Sequence, residues 1–256
     1  MSVSDGRIIW LDLVTSSVAD ALAHYGRVVG FTREDFQGEG FTYTMLKGAE
    51  QLVGGVMDAP ERGRAAGDGP HWIGYHTTAD VDATVALAES LGGKLVTPAV
   101  TAPGTGRWAV LEDPTGAVFA AFHTANPTEP KPQPGRGEVA WSELMTSDPD
   151  AALRFYAALF GWVELSRMDM GDMGAYRIVG TPGTSGLAGF MGLPPGTPRS
   201  AWCQYFHVED VPTAVAAAQE AGATLLSGPM EIPGGGVVAM LTDPQGALYA
   251  LHHGSV

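Results

Sequence analysis

The heptapeptide Trp10-Leu-Asp-Leu-Val-Thr-Ser16 decides the fold, because a close copy, Trp141-Ser-Glu-Leu-Met-Thr-Ser147, begins 131 positions later. Further residues recur at an offset of 130 or 131, namely the pairs Tyr25 and Tyr156, Gly30 and Gly161, Trp72 and Trp202, Asp113 and Asp243, and His123 and His253. A nearly constant offset held across half of the chain indicates a tandem duplication, since unrelated sequence would not keep it.

Residues 124–137 separate the two copies. This stretch contains four prolines and lacks apolar periodicity, which is typical of an extended connector. The sequence therefore predicts an N-terminal domain over residues 1–123, a proline-rich linker over 124–137 and a C-terminal domain over 138–256.

Each domain divides again into two modules of one kind. In the first module, an apolar strand near residues 8–14 precedes an amphipathic helix over about 18–29, which ends at Gly30, and three strands follow. The second module repeats this order, with a strand at 72–78 and a helix at 81–91. Its last two strands are joined by Asp113-Pro-Thr-Gly116, which has the residue types that a tight turn requires. The sequence predicts an α+β fold with four βαβββ modules.

This fourfold arrangement resembles the vicinal oxygen chelate superfamily, which includes glyoxalase I, extradiol dioxygenases, fosfomycin-resistance enzymes and bleomycin-binding proteins. The resemblance rests on the stretch from Trp141 through Phe155-Tyr156 to Leu159-Phe160-Gly161-Trp162, and on the turns Asp113-Pro114 and Asp243-Pro244. It implies tandem glyoxalase-like domains, in which the modules form two cupped mixed β-sheets with helices on the outer face. One scaffold of this kind hosts many chemistries, so the reaction is not implied.

The resemblance also implies a divalent metal on the concave face, held by His, Glu or Gln from the first and last strands of each module. Such a metal needs three or more donors. Counting from the helices and turns places these residues at the expected positions: Trp10, Gly54 or Gly55, Gly74 and Ala120, then Trp141, Gly189 or Phe190, Gln204 and Ala250. Only Gln204 is a donor, so we expect no metal and no other cofactor. A non-standard site with Asp12 and His76, or with Glu143 and His252, is the alternative.

Four titratable residues are candidate catalytic groups: Asp12, Glu143, His76 and His252. Each acid lies two positions after the repeated tryptophan, so strand alternation places the acid and the indole on one face. Burial would raise the pKa of such a carboxyl toward that of a general base. The alternatives are an acid bonded to backbone at a strand end, and histidines satisfied by their neighbours in the core.

A larger set of residues is predicted to contact a ligand: Trp10, Trp72, Trp108, Phe122, Trp141, Met168, Met170, Met173, Tyr176, Gln204 and Phe206. The methionine-rich stretch 168–173 would form a loop that clamps a flat ring, because methionine adapts its shape to aromatic faces. Its counterpart at 35–40 contains no methionine, so the two grooves are predicted to differ. The alternative for several of the aromatic side chains is an ordinary place in the core.

The net charge of −14, from 28 acidic and 14 basic residues, argues against nucleic acid and anionic membranes as partners, because no basic cluster offsets it. A neutral or cationic hydrophobic ligand is favoured. No apolar run reaches the roughly 20 residues that a membrane span needs. The single cysteine, Cys203, fits a reducing compartment, so we expect a cytoplasmic protein, either monomeric or homodimeric.

Three functions remain open at this point. The leading prediction is a metal-independent protein of the glyoxalase/bleomycin-resistance type that binds a hydrophobic, aromatic or polycyclic secondary metabolite and sequesters or presents it. The alternative is a cofactor-free isomerase, cyclase or lyase that uses a groove carboxylate as general base. A second alternative is a metal-dependent glyoxalase- or dioxygenase-type enzyme.

Overall fold

The computed structural model describes residues 4–38, 41–58, 69–127, 131, 133–171, 174–194, 197, 199–233 and 235–254. The first module consists of β1 (Ile8–Thr15), α1 (Val18–Val28), β2 (Thr32–Gly38), β3 (Phe41–Lys47) and β4 (Leu52–Asp58). The second consists of β5 (His71–Thr77), α2 (Val81–Ser90), β6 (Lys94–Ala102), β7 (Gly106–Glu112) and β8 (Val118–Thr124).

The second half of the chain repeats this order. The third module consists of β9 (Val139–Thr146), α3 (Pro149–Phe160), β10 (Val163–Asp169), β11 (Ala175–Gly180) and β12 (Ala188–Gly192). The fourth consists of β13 (Ala201–His207), α4 (Val211–Glu220), β14 (Thr224–Ile232), β15 (Gly236–Thr242) and β16 (Leu248–His253). The predicted fourfold βαβββ order is confirmed.

The strands form two mixed, curled sheets of eight strands each. The first has the order β2-β3-β4-β1-β5-β8-β7-β6, and the second has the order β10-β11-β12-β9-β13-β16-β15-β14. In each module the first strand pairs with the last in parallel, as β1 does with β4 and β5 with β8, whereas the outer strands are antiparallel. The predicted α+β class, with tandem glyoxalase-like sheets, is confirmed.

Each helix begins at a side chain that caps it. Ser17, Asp80, Asp148 and Asp210 accept a hydrogen bond from a backbone N–H of the first turn, which satisfies a donor that the helix itself leaves unpaired. The caps also show which residues of the four modules are equivalent. Counting back seven positions from each cap gives Trp10, Ile73, Trp141 and Cys203, which occupy the same place on the first strand of their modules.

The chain divides into two compact units. The first contains residues 1–10, 73–130 and 142–202, and the second contains 11–72, 131–141 and 203–256. Each unit therefore takes most of one module from each half of the chain. The limits of the two domains predicted from the sequence stay a prediction.

The core of the first unit is built around α2 and α3. Buried side chains of these helices pack with side chains from β7, β8, β9, β11 and β12: Ala88, Phe155, Tyr156 and Phe160 with Leu111, Phe119, Leu144, Val179 and Phe190. Trp202 donates to Tyr156 Oη at 3.0 Å, and Tyr156 Oη donates to Asp113 Oδ2 at 3.2 Å. Burial is the main cause that raises the pKa of Tyr156 well above its ordinary value.

The second unit contains the equivalent arrangement. Trp72 donates to Tyr25 Oη at 3.1 Å, and Tyr25 donates to Asp243 Oδ2 at 3.1 Å. The other oxygen of Asp243 accepts the backbone N–H groups of its own turn at residues 245 and 247. Three of the residue pairs that reveal the duplication in sequence therefore hold helices to strands and turns inside the units.

Part of the predicted linker packs within the second unit. Lys131 forms ion pairs with Glu50 and with the buried Glu138, each at 2.9 Å, and the carbonyl of Arg136 accepts the backbone N–H of Ala49 at 2.8 Å. No helix among the described residues is both long and apolar enough to cross a membrane.

Candidate functional site

The face of each sheet that is turned away from its helices is here called the open face. Leu144 lies in the helix-packed core, so strand alternation places its neighbour Glu143 on the open face. The helix caps make Leu13 equivalent to Leu144 and Asp12 equivalent to Glu143. Both acids are therefore on open faces, although each is only 4 % exposed.

The open face of the first module carries a carboxylate–phenol pair. Asp12 lies opposite Gly55 in the parallel pairing of β1 and β4, and the hydroxyl of Tyr43 donates to Asp12 Oδ1. A Cβ at Gly55 would overlap the Tyr43 hydroxyl, so only glycine leaves room for the phenol there. Met45 faces Gly55 across β3 and β4, and Phe36, which is 53 % exposed, faces Tyr43.

The open face of the second module is an aromatic patch. Tyr75 pairs with Ala120 on β8, and Trp108 pairs with Phe122 across β7 and β8. The Phe122 ring centroid lies 5.7 Å from that of Tyr75 and 6.4 Å from that of Trp108, both in edge-to-face geometry. Tyr75 is 6 % and Phe122 8 % exposed, whereas Trp108 is only partly buried, so Trp108 is the ring of this patch that is most open to contact with a flat apolar ring.

The third module presents the counterpart of the first. Glu143 lies opposite Gly189, as Asp12 lies opposite Gly55. Ile178 pairs with Gly189 and takes the place of Met45. Met168 pairs with Tyr176, and these two residues take the places of Phe36 and Tyr43. Met170 follows β10 and is 38 % exposed, whereas Met173 lies outside the described residues.

The fourth module differs from the second by carrying histidines on its open face. Tyr205 pairs with Ala250, and His207 pairs with His252, whose ring lies 5.8 Å from that of His207. His252 is 1 % exposed. Burial lowers the pKa of His207, and the neighbouring His253 lowers it further. His252 is thus placed on the predicted face, with Val238 beside it on β15.

His76 lies in the helix-packed core and not on the open face, contrary to expectation. Its ring stacks on Phe160 at 5.4 Å with an interplanar angle of 4°, and its Nδ1 bonds to the Gly6 carbonyl at 2.8 Å. Complete burial lowers the pKa of His76 to about 4, although the bond to Gly6 opposes the shift. A neutral core histidine of this kind does not meet a ligand on the open face.

Three predicted ligand contacts are also core residues. Trp72 is 3 % exposed and bonds to Tyr25, and Phe206, at 0 %, packs on Trp72 with a ring distance of 5.1 Å. Gln204 is fully buried, and it lies on the same face of β13 as Trp202 and Phe206, two positions from each. The predicted first-strand positions, Gly74 and Gln204, lie one residue before the open-face residues Tyr75 and Tyr205, and a shift of one reverses the face.

Trp10 and Trp141 share the face of the acids by alternation, and both are partly buried. Trp108, Phe122, Met168 and Tyr176 are on open faces by the pairings given above.

The sequence prediction missed Tyr43, Tyr75, Tyr205 and Phe36. One signal was available for the tyrosines of β5 and β13, since each lies five positions before its helix cap, as Asp12 and Glu143 do.

The open-face positions do not fit the metal centre that the resemblance implies. On the first and last strands of the modules, the paired residues are Asp12 with Gly55, Tyr75 with Ala120, Glu143 with Gly189 and Tyr205 with Ala250. Each pair supplies one possible metal ligand, a carboxylate or a phenol, because the side chains of glycine and alanine cannot coordinate a metal. In the described part of the chain, no three His, Cys, Asp or Glu side chains are grouped so that they could hold an ion. These carboxylates can instead accept hydrogen bonds or a proton.

The chain matches known proteins over both halves. The family model described as "Glyoxalase/Bleomycin resistance protein/Dioxygenase superfamily" matches residues 7–121 and again 138–251. "Putative glyoxylase CFP32" of Mycobacterium bovis is 32% identical over 245 residues, which cover 94% of this chain and 92% of that protein. "Anthracycline biosynthesis protein DnrV" of Streptomyces peucetius is 31% identical, with coverage of 96% and 92%.

A solved structure shows the same fold at low sequence identity. The Mn(II)-bound glyoxalase from Novosphingobium aromaticivorans is 15% identical with a TM-score of 0.65, covering 99% of this chain and 83% of that one. The repeated family match, the two relatives and the module architecture agree, and the chain belongs to the glyoxalase/bleomycin resistance protein/dioxygenase superfamily.

Proposed function

We propose that this protein binds a flat, hydrophobic small molecule, neutral or cationic, on the open face of its sheets, without a metal at the positions where the family resemblance implies one. It would sequester the compound or present it to another enzyme. The observation that carries the proposal is the residue set at those positions, where a single acid faces glycine or a single tyrosine faces alanine.

The second module supports an aromatic ligand. Phe122 contacts both Trp108 and Tyr75 edge to face, and aromatic surfaces gain both apolar burial and favourable ring geometry from a planar guest. Phe36 on the first module is more than half exposed, so it offers further apolar area on an open face. Carboxylates at Asp12 and Glu143, with a net charge of −14, disfavour anionic ligands.

The relatives support the same ligand class. The names of the Streptomyces relatives refer to anthracycline biosynthesis, which favours a polycyclic aromatic secondary metabolite for this chain as well. The name "Putative glyoxylase" of the mycobacterial relatives favours catalysis, and for that reason the enzymatic alternatives are tested separately below.

Calorimetric titration with 2-hydroxyanthraquinone tests the binding proposal. We expect Trp108→Ala and Phe122→Ala each to weaken binding about tenfold, because each removes stacking area. Leu87→Ala is the matched control, since it removes an exposed apolar side chain from α2, on the other face of the sheet. Failure of the unaltered protein to bind this and related planar ketones would refute the proposal.

Proton transfer without a cofactor is the second candidate, and the buried Asp12 bonded by Tyr43 favours it. Here the carboxylate removes a proton from carbon next to a carbonyl, the C–H electron pair forms the enolate, and the carboxyl returns the proton at another position. The test is deuterium exchange into 2-tetralone in heavy water, followed by NMR. Asp12→Asn should stop exchange while leaving affinity nearly intact. Unchanged exchange in both Asp12→Asn and Glu143→Gln would remove this candidate.

Metal content distinguishes the family's metal-dependent chemistry from both candidates. The purified, tag-free protein is incubated with zinc, nickel, manganese or iron, dialysed and examined by elemental analysis. We expect no stoichiometric metal, because the open-face positions supply too few donors. One bound ion per chain or per sheet would favour a metal-dependent glyoxalase- or dioxygenase-type enzyme instead.

A further inference from the structure

The hydrogen bond between Tyr43 and Asp12 has a direction that constrains what else can bind there. The Tyr43 hydroxyl donates its only hydrogen to Asp12 Oδ1. A phenol oxygen has one donor and two acceptor lone pairs, and a carboxylate accepts only. The donor of Tyr43 is therefore committed to Asp12, and a ligand group that approaches Tyr43 Oη meets an acceptor.

Tyr43 is placed where a ligand can approach it. The side chain is half-buried, whereas Asp12 is 4 % exposed. Tyr43 is therefore the more exposed member of the pair on the open face. Phe36, 53 % exposed and paired with Tyr43 across β2 and β3, supplies apolar surface beside that residue.

The sequence around the pair preserves this arrangement. Gly55 lies directly opposite Asp12, and any side chain there would overlap the Tyr43 hydroxyl. Gly55 occupies the last-strand position at which the family resemblance implies a metal donor. The space that a side chain at Gly55 would take is occupied by the phenol of Tyr43.

We propose that the Tyr43–Asp12 pair makes the open face of the first module selective for planar aromatic ligands that carry a phenolic or enolic hydroxyl. The ligand hydroxyl donates to Tyr43 Oη, which donates to Asp12, and each bond of the chain polarises the next. A methyl ether or a ketone in the same position presents only acceptors, and its oxygen faces an acceptor without a shared hydrogen. This inference rests on the proposed function, because it specifies the ligand class of that binding face.

The experiment compares two ligands that differ in one hydrogen-bond donor. Calorimetric titrations use 2-hydroxyanthraquinone and 2-methoxyanthraquinone at a pH where the hydroxyl stays protonated. We expect the hydroxyl compound to bind the unaltered protein about tenfold more tightly, in line with one hydrogen bond to a charge-assisted acceptor. Tyr43→Phe removes the acceptor and should bring the two affinities together.

A second variant tests the geometry without deleting either partner. Gly55→Ala retains Tyr43 and Asp12 but displaces the phenol, so it should also abolish the preference. Thermal unfolding of this variant checks that it is folded. Thr44→Val is the matched control on the same strand, because Thr44 bonds to Asp35 at 3.0 Å and alternation turns it away from Tyr43. The preference should persist in that variant.

The outcomes separate this inference from the function on which it rests. If neither anthraquinone binds, the proposed function fails and the inference falls with it. If both bind the unaltered protein equally, or if the hydroxyl preference survives in Tyr43→Phe, the hydroxyl-selective pair is refuted while binding of aromatic compounds stands. Equal affinities in both Tyr43→Phe and Gly55→Ala, with a retained preference in Thr44→Val, support it.

Discussion

The two compact units share a hydrogen-bonded skeleton and differ in the side chains around it. Trp202, Tyr156 and Asp113 form the skeleton in the first unit, and Trp72, Tyr25 and Asp243 form it in the second. Beside the second skeleton, His24 bonds to Tyr249 Oη at 3.0 Å. The equivalent positions in the first unit are Phe155 and Phe119, which pack edge to face at 5.9 Å.

The first unit also has a histidine where the second has phenylalanine. His76 lies among aromatic rings in the first unit, whereas its equivalent in the second is the buried Phe206. Each unit therefore has a histidine in its helix-packed core at a place where the other has phenylalanine. After duplication, the bonds that join helix, strand and turn were retained, while the surrounding core exchanged polar and apolar groups of similar size. The skeleton is therefore the part of the core that the two units share.

The largest expected effect comes from breaking the skeleton in either unit. Tyr156→Phe leaves the buried Trp202 Nε1–H and the Asp113 carboxylate without this partner, and Tyr25→Phe does the same to Trp72 and Asp243. We expect each variant to lose about 4 kcal/mol of unfolding free energy, since a buried acid loses a charge-assisted bond. Urea denaturation measures the loss. Losses that differ by more than about 2 kcal/mol between the units would contradict the equivalence of the two skeletons.

Acid should destabilise the protein through His76. Its pKa is about 4 in the folded chain because burial opposes the charge, against 6.5 ordinarily. Below pH 6.5, His76 becomes protonated in the unfolded chain but stays neutral in the folded chain until the pH approaches 4. The stabilising contribution is therefore complete above pH 6.5 and is lost as the pH falls toward 4, by about 3 kcal/mol.

His76→Phe, which copies Phe206 of the second unit, isolates that contribution. The variant should lose less stability than the unaltered protein between pH 7 and pH 4.5, as followed by urea denaturation at each pH. Tyr205→Phe, at a position that carries no histidine in either unit, is a suitable control and should keep the acid sensitivity. An unchanged difference between the two pH values in His76→Phe would show that other groups cause the acid response.

The sequence predicts the fold well because the evidence for it is repeated. The matching heptapeptides at Trp10 and Trp141 mark the two halves of the chain, and the strand, helix and turn patterns divide each half into two modules without reference to any contact between distant segments. The order of strands and helices in a module depends only on local periodicity and on the residue types of turns, and both can be identified from the sequence. The family resemblance then supplied the sheet arrangement.

The site was less predictable for two physical reasons. Counting from the helices and turns ended one residue short on β5 and β13, and this placed His76 and Gln204 on the open face, whereas both side chains are buried in the core. The pairing of Tyr43 with Asp12 joins residues 31 positions apart on strands that are not adjacent in the sheet. Its only sequence signal is Gly55, and a glycine in a strand has several possible causes.

A double-mutant cycle on His24 and Tyr249 sharpens the comparison of the two cores. Burial lowers the pKa of His24 and is the main cause that raises the pKa of Tyr249 above its ordinary value, so both side chains are neutral at pH 7. His24→Phe leaves the Tyr249 hydroxyl without this partner and should cost about 1.5 kcal/mol. The double variant with Tyr249→Phe copies Phe155 and Phe119, and should recover most of that loss. Additive losses in thermal or urea unfolding would show that the pair does not act as a unit.

The smallest expected effect concerns an ion pair found in only one of the units. Arg27 on α1 pairs with Glu220 on α4, and the two side chains are 51% and 69% exposed. The equivalent residues of the first unit are Ala158 and Ser90, which form no ion pair. Because exposed pairs gain little in water and lose side-chain entropy, Arg27→Ala should change the unfolding free energy by less than about 0.5 kcal/mol. A loss near 2 kcal/mol in urea would mean that surface charge, and not only the buried skeleton, distinguishes the stability of the second unit from that of the first.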